Sequence, residues 1–409
     1  MGLEDTHYER FFVRRDDLAH AVRERLKRYP EPHASHYGVV PLAPPEDSIV
    51  LGVAGSRHQA ASEAIARLDL LAAELKDPYI ISRVLTRREA VSSSAIEGTN
   101  STLDELLSVE ETTDEEIRGH AAQVRDYALA LDDLIPLAQA KGPEVFTVEL
   151  VQELHRAVMR GDSAGQDTPG EFRSAVVWIG GTGHIAYSTY NPAPPDDIAP
   201  CLAETLSYMR AEGMQALTQP ILVRMAIAHA HFEAVHPFRD GNGRVGRLLL
   251  PLMMAAENHV PLYLSPYIEA HKADYYAALK AAQQRLDWPA MADFLARAVL
   301  GSVDELMATR KALTDLQALW RDRRKFRANS AAARALELLP HYPVLTVSRL
   351  ATLLGISFRA ASLGIDQLLQ AGILVERTGY RRNRMFTAPE ALSIMNRPFG
   401  AEPILPGQE

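Results

Sequence analysis

His236, Asp240, Arg244 and Arg247 fall within residues 229–247, which read HAHFEAVHPFRDGNGRVGR. An imidazole titrates close to neutral pH, so His236 is suited to act as a general base. Asp240 offers a hard oxygen ligand for a Mg2+ that keeps its waters and phosphate oxygens. Arg244 and Arg247 carry permanent charge in the forked geometry that matches phosphate. Gly241 and Gly243, flanking Asn242, let a phosphate come close to the main chain. A base, a metal carboxylate and a phosphate cradle in one loop point to nucleotidyl or phosphoryl transfer. The competing reading is a glycine turn between two core helices, with its arginines in solvent.

The flanking segments explain how such a loop would be held. Residues 221–235 are apolar-rich with the spacing of a buried helix. His236 precedes Pro237, which disfavours helical backbone at His236, so the helix is expected to stop there. Residues 240–243 are turn-prone. From Arg244 the pattern is helical again, with Arg244 and Arg247 on one face. The second helix would then aim its first-turn N–H groups at the loop, an anion site.

The string resembles the signature of the Fic family, His-x-Phe-x-Asp/Glu-Gly-Asn-Gly-Arg-x-x-Arg. Every fixed position is filled, by His236, Phe238, Asp240, Gly241, Asn242, Gly243, Arg244 and Arg247. His229 and the Phe232-Glu233 pair also resemble the family, while His231 stands where relatives often carry glutamine. Ser93-x-x-x-Glu97-Gly98 resembles the family's inhibitory motif. By that resemblance Glu97 pairs with Arg247 and obstructs the γ-phosphate of ATP, and Ser93 helps to hold the helix. On physical grounds Gly98 reads as a left-handed helix cap. Glu97 then sits at the wrong end of a helix dipole, at a cost of roughly 0.3–1 kcal/mol. A solvated or locally paired glutamate is the simpler reading of that position.

After Gly170-Glu171-Phe172-Arg173, the segment VVWIGGTGHIAY has β-formers around glycines and reads as a hairpin. It resembles the flap on which Fic proteins lay the target peptide, through Trp178, Ile179, Gly180 and Gly181; a plain surface hairpin is the alternative. Strand addition to its edge is the specific expectation. Residues 262–279 resemble the segments that follow the signature, so Tyr275 and Tyr276 are expected to stack on adenine, against the alternative of core packing.

The chain has 409 residues, room for two or three domains. Its 47% hydrophobic and 23% charged residues are those of a soluble globular protein. A net charge of -9 excludes a chain that coats nucleic acid as a whole, though a local basic patch remains compatible. Cys201 is the only cysteine, which fits a reducing compartment, and a cytoplasmic location is expected. The most apolar run, residues 248–256, is too short to span a membrane. The N-terminus lacks the apolar core of a signal peptide. Gly2 and Thr6 satisfy a myristoylation pattern beside Glu4 and Asp5, and we read that match as coincidence.

Residues 1–55 read as an extended, proline-punctuated lead-in that wraps the body. Helices are expected over 56–75, 79–96, 114–141 and 147–159, with a charged connector over 301–327. Residues 331–392 look separate: a helix over 346–354, a turn, a helix over 357–370, then ILVERTGYRRNRMF as a two-stranded wing. The second of those helices carries Arg359 offset by Asp366, and the wing carries Arg377, Arg381, Arg382 and Arg384. DNA binding needs several phosphate contacts, so protein docking or a homodimer stands beside it.

The expected fold is mainly α: a Fic-fold helical core with a β-hairpin flap, plus a C-terminal winged helix-turn-helix. The expected domains are an N-terminal helical region with the inhibitory helix (1–110), a catalytic core (111–310) and a winged helix (325–395). The resemblance implies a protein adenylyltransferase that moves AMP from ATP to a Tyr, Thr or Ser hydroxyl of a target protein. His236 would be the base, Asp240 the Mg2+ ligand, and Gly241 to Arg244 with Arg247 the nucleotide cradle, under autoinhibition by Glu97. Alternatives are transfer or removal of another phosphate-containing group, or a DNA-binding regulator with a nucleotide-sensing core.

Overall fold

Helix Ile221–Val235 has no polar face: every residue from Leu222 to Val235 is buried. An all-round buried helix needs neighbours on every side, and three supply them. Helices Ile198–Met209, Asn242–Ala256 and Lys272–Arg285 pack directly on it, and helix Val148–Met159 packs on Asn242–Ala256 and Ile198–Met209. The polar side chains it buries have partners. Arg224 pairs with Glu257 at 2.6 Å and His231 Nδ1 meets the Thr205 hydroxyl at 2.8 Å.

These features come from a computed structural model that describes residues 17–74, 82–111, 120–160, 168–181, 183–377 and 384–407. The Gly2–Thr6 pattern, Arg381 and Arg382, and the expected helical residues 75, 79–81 and 114–119 lie outside the described residues. The fold is mainly α, with five short antiparallel strands among the described residues. The lead-in departs from its expected extended form. It carries a short helix, His20–Glu24, and a hairpin in which Leu26–Arg28 pairs with Tyr37–Val39. Leu18, Val22 and Val39 share a small core with Tyr190 and Ala234, apolar contacts too far apart in sequence to show as a local pattern.

The chain forms two compact units that cut across the expected linear domains. The first comprises residues 1–69, 133–264 and 271–300; the second comprises 70–132, 265–270 and 301–409. The tail is therefore not self-contained. Its helices Ala331–Leu338, Val347–Leu354 and Phe358–Gln370 enclose one core with strands Val344–Thr346 and Met385–Thr387, and that core also takes in Val84, Leu103 and Leu107. Strand Met385–Thr387 lies between Val344–Thr346 and Val375–Glu376. Polar contacts follow the same seam: Arg83 Nη1 donates to the carbonyl of His341 at 3.1 Å, and Arg349 Nε pairs with Glu111 at 2.9 Å. Helix Leu103–Glu110 opens on a capping box, Thr102 and Glu105, each side chain meeting the other's backbone N–H.

Deleting everything after Arg327 is therefore expected to destabilise what remains. Val84, Leu103 and Leu107 would lose apolar cover worth roughly 1.5–3 kcal/mol each. Calorimetry should show a lower unfolding temperature, or the truncated chain should be insoluble. A truncation that melts with the full chain's profile would establish a separable tail.

Candidate active site

The two helices that sequence placed around the loop are Ile221–Val235 and Asn242–Ala256. The first ends on His236, but not in the extended backbone expected before a proline: His236 adopts φ 51°, ψ 62°, in the left-handed region. Its N–H still bonds to the carbonyl of Phe232 at 3.0 Å, so the chain turns as it leaves the helix. Gly241 caps the second helix at φ 78°. A Cβ there would lie 2.9 Å from the Met159 sulfur, so glycine is required twice over, by conformation and by space.

The Asn242 side chain closes the loop. Its Oδ1 accepts from the Phe238 N–H and its Nδ2 donates to the Phe238 carbonyl, both at 2.8 Å. The side-chain amide is engaged by the loop, and the backbone at Asn242 opens the helix.

A second clamp comes from Arg173, which sequence placed only at the mouth of the flap. Its guanidinium donates to the carbonyls of His236 at 2.7 Å, Ala193 at 2.6 Å, Val235 at 3.3 Å and Ala175 at 3.2 Å. Its own N–H reaches the Pro237 carbonyl at 3.0 Å. Burial pushes the guanidinium pKa down to about 10, still well above neutral, and a dense set of carbonyl dipoles compensates the charge.

His155 supplies the third support. Its ring stacks on Phe238 at 3.7 Å with 4° between planes. Nδ1 accepts from the Gly170 N–H at 2.7 Å, which leaves Nε2 to carry the proton and donate to the Asp240 carbonyl at 3.1 Å. The loop is thus held at Phe238 and Asp240 by one neutral imidazole.

The chemistry-bearing groups converge on this frame. His236 Nδ1 lies 3.9 Å from Glu233 Oε2, one turn back on the helix. Arg244 is buried, donating to the Val158 carbonyl at 3.1 Å and lying 3.6 Å from Asp240 Oδ2. Arg244 Nε is buried without a hydrogen-bond acceptor among the described residues, as an anion-binding guanidinium would be. Asp240 is 65% exposed at its side chain. Among the described residues no group of three or more His, Cys, Asp or Glu could hold a metal, so any ion here would lean on Asp240 and on ligands brought by a substrate. Arg247 is buried one turn beyond Arg244, close enough for its charge to act on His229.

Comparison with known proteins supports the same assignment. The model of the Fic/DOC family matches residues 145–254, and that of the Fic/DOC family N-terminal region matches residues 56–133. These two matches place residues 56–133 and 145–254 within the Fic/DOC family. It is 34% identical over 136 residues to a protein adenylyltransferase fic-1 of Caenorhabditis briggsae, a match covering 33% of this chain and 24% of the relative. It is 28% identical over 198 residues to a protein adenylyltransferase Fic of Culex quinquefasciatus, covering 47% and 36% respectively. The matches thus span about a quarter to a third of these relatives' length. A Fic family protein from Desulfovibrio desulfuricans has a similar fold, with TM-score 0.51 and 21% identity over 84% of this chain and 98% of that one.

Within the matched residues the flap is slighter than a hairpin. Ile179 forms a single antiparallel bridge with Tyr190, and a 3-10 turn, Ile185–Tyr187, replaces the expected return strand. Gly180 and Gly181 both have positive φ, and a Cβ on either would strike Thr189 or the Tyr187 carbonyl. Trp178 packs edge-on to His33. The flap is tied to helix Ile221–Val235, because Ile179 packs on the Tyr190–Ala234 core.

Tyr275 is a correction. It is 1% exposed, and its hydroxyl lies 2.8 Å from His229 Nε2, so neither face is open to a base. Tyr276 is 45% exposed, with Lys272 over its ring. In the other unit, Ser93 is fully buried on helix Ser82–Ile96 and Glu97 is exposed just past its end. Gly98 at φ 86° ends that helix, as its sequence suggested.

Sequence reasoning assigned no role to Arg173, His155 or Glu233. Only Glu233 left a usable local signal, its spacing of three from His236 on a helix.

Burial lowers the pKa of His229 to about 3 and of His231 to about 4. In the unfolded chain both titrate near about 6.5. Between those values the unfolded state binds protons that the folded state does not, so stability is full above the unfolded pKa and lost as pH falls through the window. At about pH 5 each histidine removes roughly 2 kcal/mol. His231→Gln should keep a polar contact with Thr205 and flatten the fall of melting temperature below neutral pH. Identical pH slopes for variant and wild type would rule out this linkage.

Proposed function

We propose that this loop transfers AMP from ATP to a hydroxyl side chain of a target protein. One observation carries the reading: a left-handed histidine and a helix N-terminus share a short clamped loop, beside a buried arginine whose Nε lacks an acceptor. Free backbone donors and a desolvated guanidinium suit the phosphates of a nucleotide. The adenylyltransferase names of the relatives point the same way.

His236 would act through Nε2, because Nδ1 faces the Glu233 carboxylate. The target hydroxyl oxygen attacks the α-phosphorus and loses its proton to Nε2, the bond from the α-phosphorus to the bridging oxygen breaks, and pyrophosphate leaves. Glu233 would stabilise the imidazolium that forms. Arg244 and the first-turn amides of the helix would stabilise charge on the departing phosphates. The flap beside Tyr190 would take the target segment as an added strand. Asp240 is the loop's exposed carboxylate and fits a Mg2+ that would neutralise phosphate charge once ATP is present.

Incubation of pure protein with ATP and Mg2+, followed by intact mass measurement, tests this directly. The mass of AMP is expected on the protein or on a target, distinct from UMP or phosphocholine. His236→Ala should lower transfer by about a hundredfold or more while ATP binding persists. Near wild-type transfer by that variant would remove His236 as the base.

Autoinhibition by Glu97 belongs to the same proposal. The resemblance assigns Glu97 to Arg247, and the main chain supports a fixed position for it. Its N–H bonds to the Ser94 carbonyl at 3.1 Å, and that carbonyl also accepts from Thr99 at 3.0 Å. A blocked γ-phosphate site would leave the α-phosphorus misaligned for attack, and a misplacement of about 1 Å can cost on the order of a hundredfold in rate. Glu97→Gly should therefore raise automodification by up to that factor, and adding Arg247→Ala should erase the gain. Equal rates for wild type and Glu97→Gly would return Glu97 to a structural role.

A further inference from the structure

Helix Phe358–Gln370 presents a face that packs against nothing among the described residues. Phe358 and Leu363 are each 60% exposed on it. Arg359 and Asp366 are also exposed, and neither makes a hydrogen bond or ion pair among the described residues. Their separation of seven places both on one side of the helix, two turns apart, with Leu363 between them.

This pattern is self-complementary. A two-fold axis crossing the helix between residues 362 and 363, with two copies antiparallel, sets residue 359 of one copy against residue 366 of the other. Arg359 then meets Asp366 of the second copy, and the reverse pair forms at the other end. Leu363 comes to the axis beside Ser362, and Phe358 covers the flank. We propose that this helix pairs with the same helix of a second copy of this chain, making an isologous dimer that closes at two.

DNA is the other occupant such a helix could meet, and the charges disfavour it. The exposed face has one cation and one anion, no net attraction for phosphate. Of the arginines around the strands, Arg377 holds Asp104 and Ser108, and Arg384 holds Glu376. Asp366 adds to the field on Arg384 without bonding it. At the helix C-terminal end, Arg324 donates to the Gln367 carbonyl and to Gln370 at 3.2 Å. Among the described residues, too few cations are left there for the several phosphate contacts that duplex binding needs.

One helix from each copy buries less than a standard interface, so exchange in the micromolar range is expected. Sedimentation of the full chain over a concentration series, at low and high salt, reads it. Wild type should dimerise, more weakly in salt. Arg359→Asp and Asp366→Arg should each weaken the dimer by about tenfold or more, since like charges then face each other. The double variant Arg359→Asp/Asp366→Arg should restore it. All these positions are exposed, and circular dichroism would verify folding. Wild type that stays monomeric throughout overturns the proposal, as does a double variant no tighter than the singles. A duplex-DNA footprint lost in Arg359→Asp would overturn it in favour of nucleic acid.

Discussion

Two helices that are buried along almost their whole length reverse into one another between His236 and Gly241, and a buried guanidinium holds that reversal. Arg173 gathers the carbonyls of Val235, His236, Ala193 and Ala175 onto one rigid fork. An ammonium could not span those directions at once, because its three donors radiate from a point. The desolvation cost of the cation is offset by dipoles fixed in the folded main chain, so the charge and the loop geometry stabilise each other. His236 in left-handed backbone persists because its surroundings over-determine it.

The same fork joins the loop to the flap. Ala193 follows the segment that bridges Ile179 to Tyr190, and Tyr29 bonds the neighbouring Pro192 carbonyl at 2.6 Å. The N-terminal hairpin therefore has a structural reason to exist, since Gly38 packs so closely on Pro192 and Tyr29 that a Cβ would not fit. His155 fixes the opposite side of the loop through Gly170 and Asp240. Base, phosphate cradle and flap are thus positioned by residues that touch no substrate in the proposed reaction.

The second unit has its own logic. Helix Ser82–Ile96, which carries the motif ending in Glu97, is bound to the C-terminal segment by Arg83, by Arg88 with Glu305 and by the shared apolar core. The C-terminal segment thus packs on the helix that precedes Glu97.

Local chemistry was legible in the chain itself. A glycine where φ must be positive, a proline after the last helical residue, and a Thr–Glu capping pair act over a few residues, so loop and helix ends followed from neighbours in sequence. The Asn242 side chain's bonds to the Phe238 backbone form only once the loop has turned. Tyr275 could not be read, since aromatic spacing is the same for a base-stacking face and a buried one; the hydroxyl of Tyr275 on His229 decided it. The flap shrank to one bridge because its strand propensity was weaker than the turns that Gly180 and Gly181 impose. Arg173, His155 and the shared core of Val84 with the tail join positions tens to hundreds of residues apart, whose contact is created only when the helices pack. Sequence by itself determined where this loop begins and ends and which polar residues it carries; tertiary structure alone decided what holds it still, because long-range burial leaves no local pattern.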